Sequence, residues 1–341
     1  MIGIIGVGVY LPDTRLDAAD IARETELPEG VVRDKLGICS KPVPGEGDHP
    51  TAMGVWAAER ALAEARIDPQ DVDVVISITE EYKEFPVWTA GIKLAYDVGA
   101  EHAYAYDIGQ KCGTGVLGIK QAHDLIKADD SVDTVLVAGG YRNGDLIDYR
   151  NERVRFMYNL GAGGAAAVVR RGAEQHGADG FRAEILQSAM ITDGSLSRDV
   201  VVPVGGTIEP LTPDNLHRYK LDVTDPAGMR ARLGARSLGN FIGVIEKAVA
   251  KSGFTVDDID HLAILHMKRS AHEQILAELG LEPERSIYLS DYGHIGQVDQ
   301  FLSVQLAEQQ GRLEPGSLIV MVAAGVGYVW NAICLRYLGP R

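Results

Sequence analysis

Three side chains set the chemistry open to this chain: one cysteine, Cys112, and two histidines, His266 and His294. Cys112 lies in Asp107-Ile108-Gly109-Gln110-Lys111-Cys112-Gly113-Thr114-Gly115, an apolar strand followed by a glycine-flanked turn and an apolar helix. At a helix N-terminus, unpaired amide N–H groups and the macrodipole stabilise a thiolate, and Lys111 adds positive charge beside it. The small residues around it leave room for a long substrate. On local context alone, a buried structural thiol fits equally, because free cysteine is among the most buried residue types.

His266 ends the apolar run Ala263-Ile264-Leu265-His266, where α/β proteins present functional side chains. His294 occupies Asp291-Tyr292-Gly293-His294-Ile295-Gly296, a second turn of the Cys112 kind. Each fits an ordinary hydrogen-bonded histidine as well. Together, a nucleophile and two imidazoles suit acyl transfer, in which a thioester forms on sulfur and the rings hold a carbonyl or move protons.

The elements that must position these residues come twice. Strand-length apolar runs alternate with amphipathic helical segments, the pattern of an α/β protein with a largely buried sheet. In the first half, strands at Val72–Ile78 and Ala103–Asp107, with a helix near Val87–Val98 between them, lead to a helix opening at Cys112; strands at Thr134–Gly140 and Gly164–Arg170 follow. The second half repeats the order with strands at Ile259–Leu265 and Ile287–Asp291, a helix near Ala271–Leu279 between them, a helix opening near His294, and strands at Ser317–Gly325 and Val329–Arg336. From Asp73 to Cys112 is 39 positions and from Asp260 to His294 is 34. This spacing predicts an internal duplication, residues 1–172 carrying the cysteine and residues 173–341 the histidines, with a site shared between halves.

Composition narrows the function further. With 341 residues, 46% hydrophobic, the chain can bury a substantial core. A formal charge of -15 disfavours nucleic acid and anionic membranes as partners. No run approaches a membrane span and no basic leader precedes the first apolar stretch, so a cytoplasmic protein is expected. Cys39, Cys112 and Cys334 are odd in number and lack metal-ligand spacing, so neither a disulfide framework nor a metal is expected.

Over nearly its whole length the chain resembles the ketoacyl synthase III family of the thiolase superfamily. The likeness rests on Gly3-Ile4-Ile5-Gly6-Val7-Gly8-Val9-Tyr10-Leu11-Pro12, Leu36-Gly37-Ile38, Phe85-Pro86, Tyr106-Asp107-Ile108 leading to Cys112, Thr192-Asp193-Gly194, Gly205-Gly206, Asp258-Ile259-Asp260 leading to His266, Tyr292-Gly293 before His294, and Gly325-Val326-Gly327. It implies a thiolase-like duplicated α-β-α-β-α layered fold and a homodimer. The family's Cys-His-Asn triad falls on Cys112, His266 and His294, so the implied set is Cys-His-His, as in the elongating ketoacyl synthases. The family's His-Gln-Ala-Asn run reads His266-Met267-Lys268-Arg269, and its Gly-Asn-Thr run reads Gly293-His294-Ile295.

The resemblance further implies coenzyme A or acyl carrier protein thioesters as substrates, with no bound cofactor, and a Cys112 acyl-enzyme condensed with a malonyl-type thioester. Backbone N–H groups at Cys112 and Gly325 would hold the oxyanion. Lys35, Arg230, Arg232, Arg236 and Arg269, with Lys268, are the candidates for meeting phosphopantetheine or an acidic carrier. Glu80 stands where related hydroxymethylglutaryl-coenzyme A synthases carry a catalytic glutamate; a solvated loop carboxylate fits it as well. Non-decarboxylating transfer to a hydroxyl or amine, a hydroxymethylglutaryl-coenzyme A synthase-like condensation using Glu80, and a silent partner subunit are the competing readings.

Overall fold

A computed structural model describes residues 1–172 and 180–340. The first residues of the expected second half, 173–179, lie outside the described residues. The strands are β1 (Ile2–Tyr10), β2 (Arg15–Asp17), β3 (Ser40–Pro42), β4 (Val74–Ser77), β5 (Tyr104–Asp107), β6 (Thr134–Tyr141), β7 (Gly163–Arg171), β8 (Ala183–Thr192), β9 (Val200–Val201), β10 (Asp222–Val223), β11 (Ile259–Ile264), β12 (Leu318–Gly325) and β13 (Val329–Tyr337). The α-helices are α1 (Ala18–Thr25), α2 (Pro50–Ala65), α3 (Ala90–Asp97), α4 (Thr114–Ala128), α5 (Pro226–Lys251), α6 (Arg269–Leu279) and α7 (Asp299–Gln309).

Nine strands form one sheet in the order β11-β12-β13-β8-β1-β7-β6-β4-β5. Its two halves meet at β1 and β8, which pair only at Gly3 with Glu184 and Ile4 with Ala183. Outward from that seam the pattern repeats: β1 and β7, then β7 and β6, are antiparallel, and β6 and β4 are parallel. On the other side β8 and β13, then β13 and β12, are antiparallel, and β12 and β11 are parallel. The inner strands are buried on both faces, which is why they read as continuous Val, Ile, Leu and Ala runs rather than alternating ones.

Helices α4 and α7 pack against strands of both halves, α2 and α3 cover the outer face of the first, and α5, backed by α6, covers the second. This is the layered α-β-α-β-α arrangement expected from the sequence. One expected element is missing: Ile287–Asp291 is not a strand, so β11 has no outer neighbour corresponding to β5. Its backbone is used elsewhere, the Ser290 carbonyl accepting from the Cys39 N–H at 2.7 Å, and its apolar signal comes from the buried Leu289. Among the described residues no helix is long and apolar enough to cross a membrane.

The long helix α2 lies close on β1, β7 and β6 because glycines line the contact. A Cβ on Gly8 would stand 1.9 Å from the Ala57 carbonyl oxygen, and one on Gly164 would stand 2.2 Å from that of Met53. Those neighbours are helix backbone and cannot rotate away. Gly8→Val or Gly164→Val therefore lowers stability by about 1–3 kcal/mol or more, read as an earlier urea midpoint. Gly234, in α5 with no atom within 4 Å of an added Cβ, behaves oppositely, and Gly234→Ala raises stability by roughly 0.5–1 kcal/mol.

Candidate active site

Cys112 sits in a single 3-10 turn, Lys111–Gly113, between the end of β5 and the start of α4. Lys111 is left-handed with φ 53°, an uncommon state for a residue with a Cβ, and it bends the chain sharply just before the nucleophile. The turn is tied from within: the Gln110 N–H donates to Thr114 Oγ1 at 2.8 Å, and the Thr114 hydroxyl donates to the Lys111 carbonyl at 2.6 Å. From the second half, Asn331 on β13 donates to the Gly113 carbonyl at 2.8 Å and to Gln110 Oε1 at 2.9 Å. Gly325, where β12 ends, lies against the same turn, since a Cβ there would meet the Gln110 carbonyl oxygen at 2.2 Å.

His294 reaches Cys112 across the boundary between halves, with Nε2 at 3.1 Å from Sγ. Its Nδ1 is 2.6 Å from Asp299 Oδ2, so sulfur, imidazole and carboxylate form a continuous relay. Asp299 is fully buried and also accepts the Ile295 N–H on Oδ1 and the His266 N–H on Oδ2, both at 2.7 Å. Burial works to lower the pKa of His294, but the Asp299 charge and the neighbouring sulfur outweigh it and raise it well above the ordinary value. The protonated ring donates from both nitrogens, one to the carboxylate and one toward sulfur. Burial pushes the Cys112 thiol up, and His294 opposes that shift.

His266 is placed differently. It lines the same cavity, but its Nε2 is 3.1 Å from the Gly37 carbonyl and its Nδ1 is 2.7 Å from Asn159 Nδ2. Burial lowers its pKa to about 4, so the ring is neutral at pH 7. A carbonyl only accepts, so Nε2 carries the proton and Nδ1 accepts from the Asn159 amide. Both nitrogens are therefore occupied within the protein, which leaves His294 as the imidazole directed at the sulfur.

Asn159 is held in turn by Lys41. Its fully buried ammonium donates to the Tyr158 and Leu160 carbonyls at 2.6 and 2.7 Å and to the Tyr149 hydroxyl at 2.7 Å, and burial lowers its pKa to about 7. The Asn159 carbonyl accepts the His294 N–H at 2.8 Å. Segment 158–160 therefore positions both imidazoles.

A cavity of about 730 Å³ opens over Cys112, His294 and His266, with an apolar lining that includes Leu36, Leu221, Leu233 and Phe241. Glu80 lines it, buried, with Oε2 accepting from Asn143 Nδ2 at 2.7 Å. Burial raises its pKa to about 7, so it is not the solvated loop carboxylate that its sequence context also allowed.

Of the expected cations, only Lys268 lines the cavity. Arg232 is paired with Asp199 and Asp225, and Arg236 with Asp193, so their charges are spent on neighbouring segments. Arg269 lies over the Tyr288 ring at 4.1 Å, while Lys35 and Arg230 are exposed and do not line the cavity. Arg155 and Lys111 also line the cavity, each paired with a glutamate, Glu152 and Glu81.

Asp299, Asn159 and Lys41 escape a reading of the sequence. An aspartate opening a helix reads as a favourable charge at its N-terminus, and a lysine or asparagine far along the chain carries no local sign of its partners. The five-residue step from His294 to Asp299 was the only available signal.

Comparison with known proteins identifies the family and the fold. Residues 106–194 match the family model for 3-oxoacyl-[acyl-carrier-protein] synthase III, and residues 249–337 match the model for its C-terminal part; together they span more than half of the chain. A beta-ketoacyl-[acyl-carrier-protein] synthase III of Symbiobacterium thermophilum is 26% identical over 98% of both chains. Among solved structures, the 3-oxoacyl-[acyl-carrier-protein] synthase III of Aquifex aeolicus superposes with a TM-score of 0.83 at 22% identity, over 99% of this chain and 100% of that one. The priming beta-ketosynthase of the R1128 polyketide pathway gives 0.83 at 20%, over 100% of this chain and 97% of that one.

The relay predicts how the thiol titrates. Asp299→Asn removes the charge that keeps His294 protonated and leaves burial to lower it. Thiolate then forms only at higher pH, so iodoacetamide alkylates Cys112 about 10-fold or more slowly at pH 7, and the midpoint of the rate profile moves upward. An unchanged profile would show that Asp299 does not tune the pair.

Proposed function

We propose, from the premise that this chain belongs to the 3-oxoacyl-acyl-carrier-protein synthase III family of acyl-transferring condensing enzymes, that Cys112 takes an acyl group from a coenzyme A or carrier-protein thioester and passes it to a malonyl-type thioester. The observation that carries the reading is the 3.1 Å contact between His294 Nε2 and Cys112 Sγ at the floor of a large apolar cavity. The sulfur attacks the thioester carbonyl, backbone N–H groups at Cys112 and beside Gly325 hold the oxyanion, and the departing thiolate takes the proton held by His294.

In the second step the malonyl group loses carbon dioxide. The resulting enolate carbon attacks the Cys112 thioester, and the sulfur leaves as thiolate. Having given up its proton to the first leaving group, His294 regains one from solvent, and the protonated ring then donates from Nε2 to the enolate oxygen and to the departing Cys112 thiolate. His266, with both nitrogens occupied, serves by fixing Gly37 and Asn159 around the site. Lys268, at the cavity lining, supplies a cation for phosphopantetheine or an acidic carrier. A cytoplasmic location fits work on such thioesters.

The Asp299 contact favours one further reading. A carboxylate orienting an imidazole on the nucleophile is the arrangement of a general base, and after acylation it would equally activate a hydroxyl or amine acceptor without loss of carbon dioxide.

A dimer is proposed through the edge strand β5. Beside it, Phe85, Val87, Ile92, Tyr96 and Tyr104 are exposed, an apolar group that a second copy would cover. Light scattering at working concentration should return twice the monomer mass; a monomer would refute it.

The catalytic reading is tested by intact-protein mass spectrometry with labelled malonyl thioester. Cys112 should acylate while Cys39 and Cys334 do not, and Cys112→Ala should lose the adduct. His294→Ala should cut carbon dioxide release and product by about 100-fold, the scale of losing one oxyanion donor. Product formed with an amine or alcohol and no carbon dioxide released would move the assignment to direct transfer.

A further inference from the structure

The cavity beside Cys112 is walled mostly by apolar side chains, yet three of its lining residues each keep a buried side-chain oxygen without a partner among the described residues: Glu80 Oε1, Asn143 Oδ1 and Asn159 Oδ1. Glu80 is 5% exposed and Asn159 6%. The opposite end of each group is committed. Asn143 Nδ2 donates to Glu80 Oε2 at 2.7 Å, and Asn159 Nδ2 donates to His266 Nδ1 at 2.7 Å.

These commitments fix which atom is left over. The His266 Nε2 proton goes to the Gly37 carbonyl, so Nδ1 accepts and the amide of Asn159 must turn its nitrogen toward the ring. With the carboxylate of Glu80 as acceptor, Asn143 must likewise turn its nitrogen toward it. The free ends of Asn143 and Asn159 are therefore acceptors, and Glu80 Oε1 is a third while its carboxyl, whose pKa burial raises to about 7, is ionised. A buried acceptor left unmatched costs about 1–3 kcal/mol, and native proteins leave few of them. A wholly alkyl substrate would fill this cavity and match none.

We infer that Glu80, Asn143 and Asn159 form a subsite for an O–H or N–H group, so that one of the two substrates carries a hydroxyl or amine within reach of Glu80 when its reacting carbon is at Cys112. The group has two possible sources, the acyl chain loaded on sulfur or the molecule that removes it. Hydrogen-bond donation is common to both. The inference depends on the acyl-enzyme reading only for the position of the reacting carbon.

Binding to the Cys112→Ala protein, measured by calorimetry, separates the inference from that reading because no acylation is needed. One ligand set pairs ω-hydroxy- and ω-amino-acyl pantetheine thioesters with alkanoyl ones over a series of lengths. The other pairs primary alcohols and amines with the matching methyl ethers. The donor-bearing member should bind about 10-fold or more tightly in one set, which identifies the source. In Glu80→Met and Asn143→Leu, each made in the same background, that ratio should fall toward one. Equal affinities in both sets, or a preference undiminished in both variants, would overturn the subsite. Failure of Cys112 to load in the unmodified protein would instead overturn the acyl-enzyme reading, with the binding ratios still deciding the subsite.

Discussion

One buried carboxylate organises the reactive part of this molecule. Asp299 is removed from solvent, which is costly for a charge unless donors surround it, and three do: the His294 ring, the Ile295 N–H and the His266 N–H. Through these bonds it fixes the end of β11, the turn before α7 and the imidazole that touches Cys112. A neutral amide at that position would lack the charge that keeps His294 protonated and would turn its NH2 toward one of these donors. Structure and electrostatics therefore meet in a single side chain.

The nucleophile and its imidazole come from different halves of the chain, so the seam between halves must be rigid. Side-chain amides do much of this. Gln297 donates across the seam to the Ile78 and Gly140 carbonyls at 2.8 and 3.0 Å, while within the second half Gln300 donates to the Val322 carbonyl at 3.1 Å. Asn331 holds the Cys112 turn from the second half. The carbonyls they meet, at Ile78, Gly113, Gly140 and Val322, lie in a dry interior where an unmet carbonyl is expensive. The pattern of strands builds the two scaffolds, and these amides set how they register at the sulfur.

Segment 158–160 adds a second constraint from within the first half. Lys41 is an ammonium with carbonyls and a hydroxyl as partners rather than a carboxylate, so it locks backbone instead of balancing charge. The locked segment passes Asn159 to His266 and its carbonyl to the His294 N–H. His266 is thereby held as a neutral ring with both nitrogens occupied, while His294 is the imidazole that faces Cys112.

The sequence by itself determined the repeated strand order, the layered class and the glycine-flanked turn at Cys112, because hydrophobic runs and turn residues are local signals. It also singled out His294, since that residue repeats the turn. It misread Ile287–Asp291, whose buried Leu289 imitates a strand while its backbone pairs with Cys39 and Ser40. What only the tertiary structure decided is which polar groups meet. Asn159 and His266 are 107 positions apart, Lys41 and Tyr158 117, and Cys112 and His294 182. Arginines that looked free in sequence found aspartates on neighbouring segments, while Glu80, outwardly a loop carboxylate, was folded into the cavity wall. Polar specificity depends on ångström-scale contact between distant segments, and a one-dimensional pattern carries no record of those distances.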